Sequence, residues 1–107
     1  MGNVSNPSLS SDAGRWRLDW DATVRRMRLL TDLALALVEL GRASRVLVEG
    51  NGQVVLTLCS SRGPVGVLAV HDAGGWAYIW GASQRYSADA GLAELRRAAS
   101  VLAEVER

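Results

Sequence analysis

The sequence predicts an α+β two-layer sandwich, a four-stranded antiparallel meander flanked by an N-terminal and a C-terminal helix in the order α-β-β-β-β-α. Three observations predict it: apolar residues recur at three- and four-residue steps over 19–41, the period switches to two from Arg45, and helical spacing returns after Ser87.

The first helix is expected over 19–41. Trp20, Val24, Met27, Leu30, Ala34, Leu37 and Val38 form its apolar row, while Leu29, Leu33, Ala36 and Leu40 widen it. Asp19 or Asp21 suits its N-cap, and Gly41 its stop. So broad a face needs cover on more than one side. Four short strands are expected at 45–49, 53–59, 65–71 and 76–80, separated by the turn sequences "GNG", "SSRGP" and "DAGG". Connections this short force antiparallel neighbours. Ser87 is placed as the cap of a last helix over 88–106, with Leu92, Leu95, Ala99, Leu102 and Val105 on one face.

Composition excludes several chemistries. All 12 basic residues are arginine, so neither a lysine Schiff base nor a Lys-containing phosphate loop can form. One cysteine (Cys59) allows no internal disulfide, and one histidine (His71) leaves no usual His/Cys zinc set within a chain. No metal and no cofactor are expected. At 107 residues, 49% hydrophobic and net charge +1, the balance is that of a globular domain. Residues 1–14, rich in Ser and Asn, read as a flexible head, and 15–107 as a single α+β domain. The head lacks a signal-peptide pattern, and the longest apolar-rich run, Leu29 to Leu40, is too short to span a bilayer. A cytoplasmic protein without membrane contact is the expectation.

Turn lengths sort the strand residues by face. Four-residue connections would pair Ser60 with Val65 and His71 with Trp76, and a type I′ turn at Asn51-Gly52 would set Glu49 opposite Val54. One face then carries Val46, Val48, Val55, Thr57, Cys59, Leu68, Val70, Ala77 and Ile79, small and nearly uncharged, as expected beneath two helices. The other carries Arg45, Leu47, Glu49, Val54, Leu56, Leu58, Val67, Ala69, His71, Trp76, Tyr78 and Trp80. A three-residue loop over Gly50–Gly52 would instead move Val46 and Val48 to this aromatic face. An apolar, aromatic sheet face turned away from the helices needs cover: a second copy, a different protein, a ligand, or the chain's own N-terminal segment through Trp16.

The candidate interface is therefore Leu56, Leu58, Val67, Trp76, Tyr78 and Trp80, the aromatics as anchors, with His71, Arg85 and Tyr86 as a possible rim. The same aromatics could serve as a stacking wall for a sugar, base or flavin ring, which makes a small-molecule binding protein the second reading. Nucleic-acid binding ranks third: Arg15, Arg17, Arg25, Arg26 and Arg28, beside Trp16 and Trp20, could meet phosphates and bases, but the overall charge leaves little electrostatic footprint. Cys59 and His71 point to opposite faces about 16 Å apart and form no dyad, so Cys59 is expected as a buried small hydrophobe. His71 with Asp72 reads as a solvated strand end. No catalytic residue is expected, and the chain is not read as an enzyme.

The stretch "VEGNGQVVLTLCSSRGPVGVLAVHDAGGWAYIW", followed by an Ala-rich helix, resembles a class of small actinobacterial proteins of uncharacterised function over residues 45–103. The element order is also similar, more loosely, to type III secretion chaperone-like α/β sandwiches, which pair as dimers and bind other proteins. The helix usually inserted between the strands of those proteins is lacking here, so their dimer mode does not carry over. Neither resemblance implies catalytic residues. The expected function is a non-enzymatic protein-interaction module, self-associating as a homodimer or engaging another protein through the aromatic sheet face.

Overall fold

The computed structural model describes residues 7–105, with side chains described from Trp20 onward. Helix α1 (Pro7–Glu39) is followed by strands β1 (Arg45–Val48), β2 (Val54–Ser60), β3 (Gly63–Asp72), β4 (Gly75–Trp80) and β5 (Gln84–Ser87), then helix α2 (Leu92–Ala103). The strands form one antiparallel five-stranded sheet in sequential order. Both helices lie on one of its faces, and the α+β class stands.

Helix α1 begins 12 residues before its expected start, so 7–14 of the expected flexible head have helical backbone, while 1–6 lie outside the described residues. Pro7 suits a first helical turn, where its missing N–H costs nothing. The helix stops at Gly41, whose φ of 78° only glycine adopts readily. Gly41 N–H donates to Val38 O at 2.9 Å and Arg42 N–H to Leu37 O at 2.8 Å, the paired bonds of a Schellman termination. At 33 residues the helix is roughly 50 Å long. The longest strand has 10 residues, roughly 33 Å. Thr23 Oγ1 donates to Gly52 O at 2.8 Å at the tip of the β1–β2 hairpin, and upstream of it the helix runs past the sheet.

Two hairpin registers differ from expectation. Glu49 N–H donates to Gln53 O at 2.7 Å and Val48 faces Val54, so residues 50–52 make a three-residue loop, with Gly52 at φ 85°. Val46 and Val48 therefore share the face of Leu56. The β2–β3 turn is tighter than expected, with Ser60 opposite Gly63 and Leu58 opposite Val65. That slip of two residues leaves the face assignment unchanged, because side chains alternate with period two. His71 pairs with Trp76 as the "DAGG" turn predicts.

The fifth strand, Gln84–Ser87, is a correction. It pairs Trp80 with Gln84 and Tyr78 with Tyr86 across a three-residue turn begun by Gly81 at φ 63°. Four residues of which Gln84, Arg85 and Ser87 are polar give too little alternation to announce a strand. Ser87 accordingly ends β5 rather than capping a helix, and α2 starts at Leu92 behind Gly91, with no side-chain cap.

The largest correction concerns the faces. The helices cover the aromatic face, and the face of Val55, Thr57, Cys59, Leu68 and Val70, expected beneath them, is the bare one. Leu30, Leu33 and Leu37 of α1 and Ala98, Ala99 and Leu102 of α2 are buried against Val54, Leu56, Leu58, Val67, Ala69, Tyr78 and Trp80. Each large apolar side chain taken out of water contributes about 2–3 kcal/mol, against roughly 0.8 kcal/mol for a methyl group. Burying Leu56, Leu58, Tyr78 and Trp80 with Val54 and Val67 therefore outweighs burying the face of Arg45, Thr57 and Cys59, and the two layers close on the larger apolar surface.

Arg42 fastens the far end of the sandwich. Its guanidinium is buried and donates to Ala103 O (3.2 Å) and Val105 O (2.5 Å) at the end of α2, and to Cys59 O (2.5 Å) on β2. These bonds satisfy carbonyls that a helix C-terminus leaves without partners.

Candidate functional site

Of the expected interface residues, Leu56, Leu58, Val67, Tyr78 and Trp80 are buried in the core, and Trp76 is half-buried against it. The chain's own helices occupy the surface they would have offered, so none of these five side chains is placed to meet a partner. Tyr78 shows how completely the layer closes: its hydroxyl donates to Leu29 O at 2.8 Å, and burial pushes its phenol well above the ordinary tyrosine range, with the Asp32 charge adding to the effect.

The rim residues are spent locally. Tyr86 stacks on Trp80 with ring centroids 5.1 Å apart and planes 14° apart, and the Arg97 guanidinium lies 5.8 Å from the Tyr86 centroid. Arg85 pairs with Asp72 at 2.9 Å. The Gly74 N–H, donating to the Asp72 carboxylate at 2.9 Å, and then Arg85 hold that carboxyl below its usual range. His71 is exposed and sits 5.0 Å from the half-buried Trp76 ring, whose indole also has Arg26 6.0 Å from its centroid. A stacking wall open to a ligand is not what these contacts build.

The arginines of the third reading divide. Arg25 pairs with Asp89 at 3.5 Å and Arg26 leans on Trp76, while Arg28 is exposed. Arg15, Arg17 and Trp16 belong to the part of α1 whose side chains lie outside the described ones. Cys59, expected in the core, is exposed on the face that the helices leave bare, because its strand turns Leu56 and Leu58 inward. Among the described residues no three His, Cys, Asp or Glu side chains gather as a metal site would need, and no helix is long and apolar enough to cross a membrane.

What the structure leaves uncovered lies elsewhere. Helix α1 packs over β1, β2 and β3, whereas α2 packs on α1 and on β5. One flank of α1, carrying Leu29 and Ala36, is buried; the opposite flank looks out over the β1 edge. At 100° per residue, Trp20, Val24, Met27, Thr31, Leu35 and Val38 fall on that outer flank, about a quarter turn from the buried Leu30 and Leu37. Trp20, Leu35 and Val38 are each 61% exposed. Beside them runs the unpaired edge of β1, whose Val48 and Leu47 are also exposed.

Trp20, Val24, Met27 and Val38 are expected in the same apolar row as the buried Leu30 and Leu37, because their spacing is equally regular, whereas Leu35 is not in that row. The signal lies in the breadth of the apolar face, which needs cover on more than one side. No protein-family model, no curated protein and no solved structure matches the chain.

Proposed function

We propose that this protein is a non-enzymatic, cytoplasmic protein-interaction module that self-associates as a homodimer through the outer flank of α1 and the edge of β1. The observation that carries the reading is the exposed apolar row Trp20, Met27, Leu35 and Val38 lying alongside a bare, apolar strand edge. An unprotected edge offers free N–H and C=O groups to another strand, and proteins ordinarily guard such edges with charge, proline or cover.

A second copy fits both features at once. A two-fold axis normal to the sheet beside β1 pairs β1 with its copy antiparallel and keeps the helices on one side, so the same rotation brings the two α1 flanks together. From Trp20 to Val38 the helix spans about 27 Å. With β1 alongside, the surface is on the order of 600 Å2 per copy, at the lower end of what a stable dimer buries.

Light scattering across a concentration series tests it, on the wild type and on Leu35→Glu with Val38→Glu. The expected result is a reversible dimer that the double substitution converts to a monomer with unchanged circular dichroism. A wild type that stays monomeric at every concentration rejects the proposal.

A further inference from the structure

A depression of about 680 Å3 opens where the α1–β1 connection meets the bare face of the sheet, with Arg42, Ser44, Arg45, Leu47, Thr57 and Cys59 in its wall. That size suits a small ligand.

Three features of the wall are incomplete. Arg42 is only 4% exposed, and among the described residues its guanidinium donates to backbone carbonyls alone, leaving Nε–H and one Nη2 hydrogen over. No carboxylate among the described residues pairs with it, although a buried cation without a counter-charge is costly. Ser44 Oγ is buried and has no hydrogen-bond partner. Arg45, directly opposite Thr57 on the same face, adds a second guanidinium with no carboxylate partner among the described residues.

We propose that this depression binds a small organic carboxylate with a short apolar body. The carboxylate supplies the negative charge that Arg42 and Arg45 lack among the described residues, and the acceptor that Ser44 Oγ and Thr57 Oγ1 can donate to. Ala43 and Leu47 give the apolar body a surface to lie on. The site belongs to one chain and does not depend on self-association.

Sodium octanoate and 1-octanol, a charged and an uncharged probe of equal chain length, test it by calorimetric titration and backbone amide NMR shifts. The Leu35→Glu, Val38→Glu background removes the proposed dimer contact. Octanoate is expected to saturate with shifts confined to residues 41–47 and 57–60, and 1-octanol to leave those amides unmoved. Arg45→Met, at an exposed position where the fold has little to lose, is expected to weaken octanoate binding about tenfold. Ser44→Ala, which removes a hydroxyl with no partner, is expected to weaken binding without lowering the melting temperature. Equal effects of the two probes, shifts centred elsewhere, or unchanged affinity in Arg45→Met would each overturn the assignment.

Discussion

The two edges of the sheet are built on opposite principles. Strand β5 reads Gln-Arg-Tyr-Ser: Gln84 and Arg85 are exposed, Arg85 is tied to Asp72, and Tyr86 turns inward to stack on Trp80. The segment that follows extends the pairing with β4, where Ala88 N–H donates to Trp76 O at 2.8 Å and Asp89 accepts from Trp76 N–H at 2.7 Å, and α2 packs on β5. Strand β1 reads Arg-Val-Leu-Val, has an exposed apolar row of α1 beside it, and carries neither proline nor a carboxylate. One edge is polar and charged along its length, and the other carries one charge, Arg45, followed by three apolar residues. The less charged edge is where a partner strand is better accommodated.

The widest separation between the two ends comes from Trp80→Asp. Trp80 lies in the closed core, so a carboxylate there loses the packing of a large aromatic and is itself buried. A cost of about 3–5 kcal/mol is expected, enough to unfold a domain of this size. Chemical denaturation would read it as loss of the folded baseline; a folded, soluble monomer would mean that Trp80 faces a partner after all.

Gly75→Ala probes the latch of the β5 edge. Gly75 has φ 94°, and a Cβ built there would stand 2.6 Å from Asp89 Oδ2. Backbone strain and displacement of Asp89 together should cost about 2 kcal/mol in urea titrations. A change below about 0.5 kcal/mol would show that the Asp89 contact is dispensable.

Val48→Lys is the gentlest test and addresses the β1 edge. Val48 is 53% exposed, so the stability of the monomer should move by no more than about 0.5 kcal/mol. Self-association should nevertheless weaken, because an edge lysine opposes strand pairing. Sedimentation or scattering at matched concentrations would detect the shift; an unaltered dimer would move the interface away from β1.

Much of the fold was legible locally. Gly41 announced the end of α1, because few other residues tolerate the left-handed conformation at that point. The "DAGG" turn placed His71 opposite Trp76, and alternation collected Leu56, Leu58, Val67, Tyr78 and Trp80 onto one face. The alternatives for the first hairpin included the three-residue loop that the structure contains. Strand β5 escaped notice because a short edge strand needs little hydrophobicity of its own. The start of α1 escaped because Ser, Asp and Gly in 8–14 read as turn and cap residues, although each can stand in a helix.

The candidate site was not legible, and the reason is a symmetry of the pattern. Period-two alternation says which strand residues share a face and is silent about which face a helix will cover. Likewise, the apolar arc of α1 shows what is hydrophobic around the helix without marking which part meets the sheet. From its sequence alone this chain was bound to two helices around a Gly-punctuated antiparallel meander, since periodicity and turn chemistry act between neighbours. Tertiary packing decided that the face of Leu56, Leu58, Tyr78 and Trp80 goes inward and the face of Thr57, Cys59 and Leu68 outward, because burial energy follows the area removed from water. It also decided that Trp20, Met27, Leu35 and Val38 stay outside, since one sheet and one short helix have too little surface to cover the whole of α1.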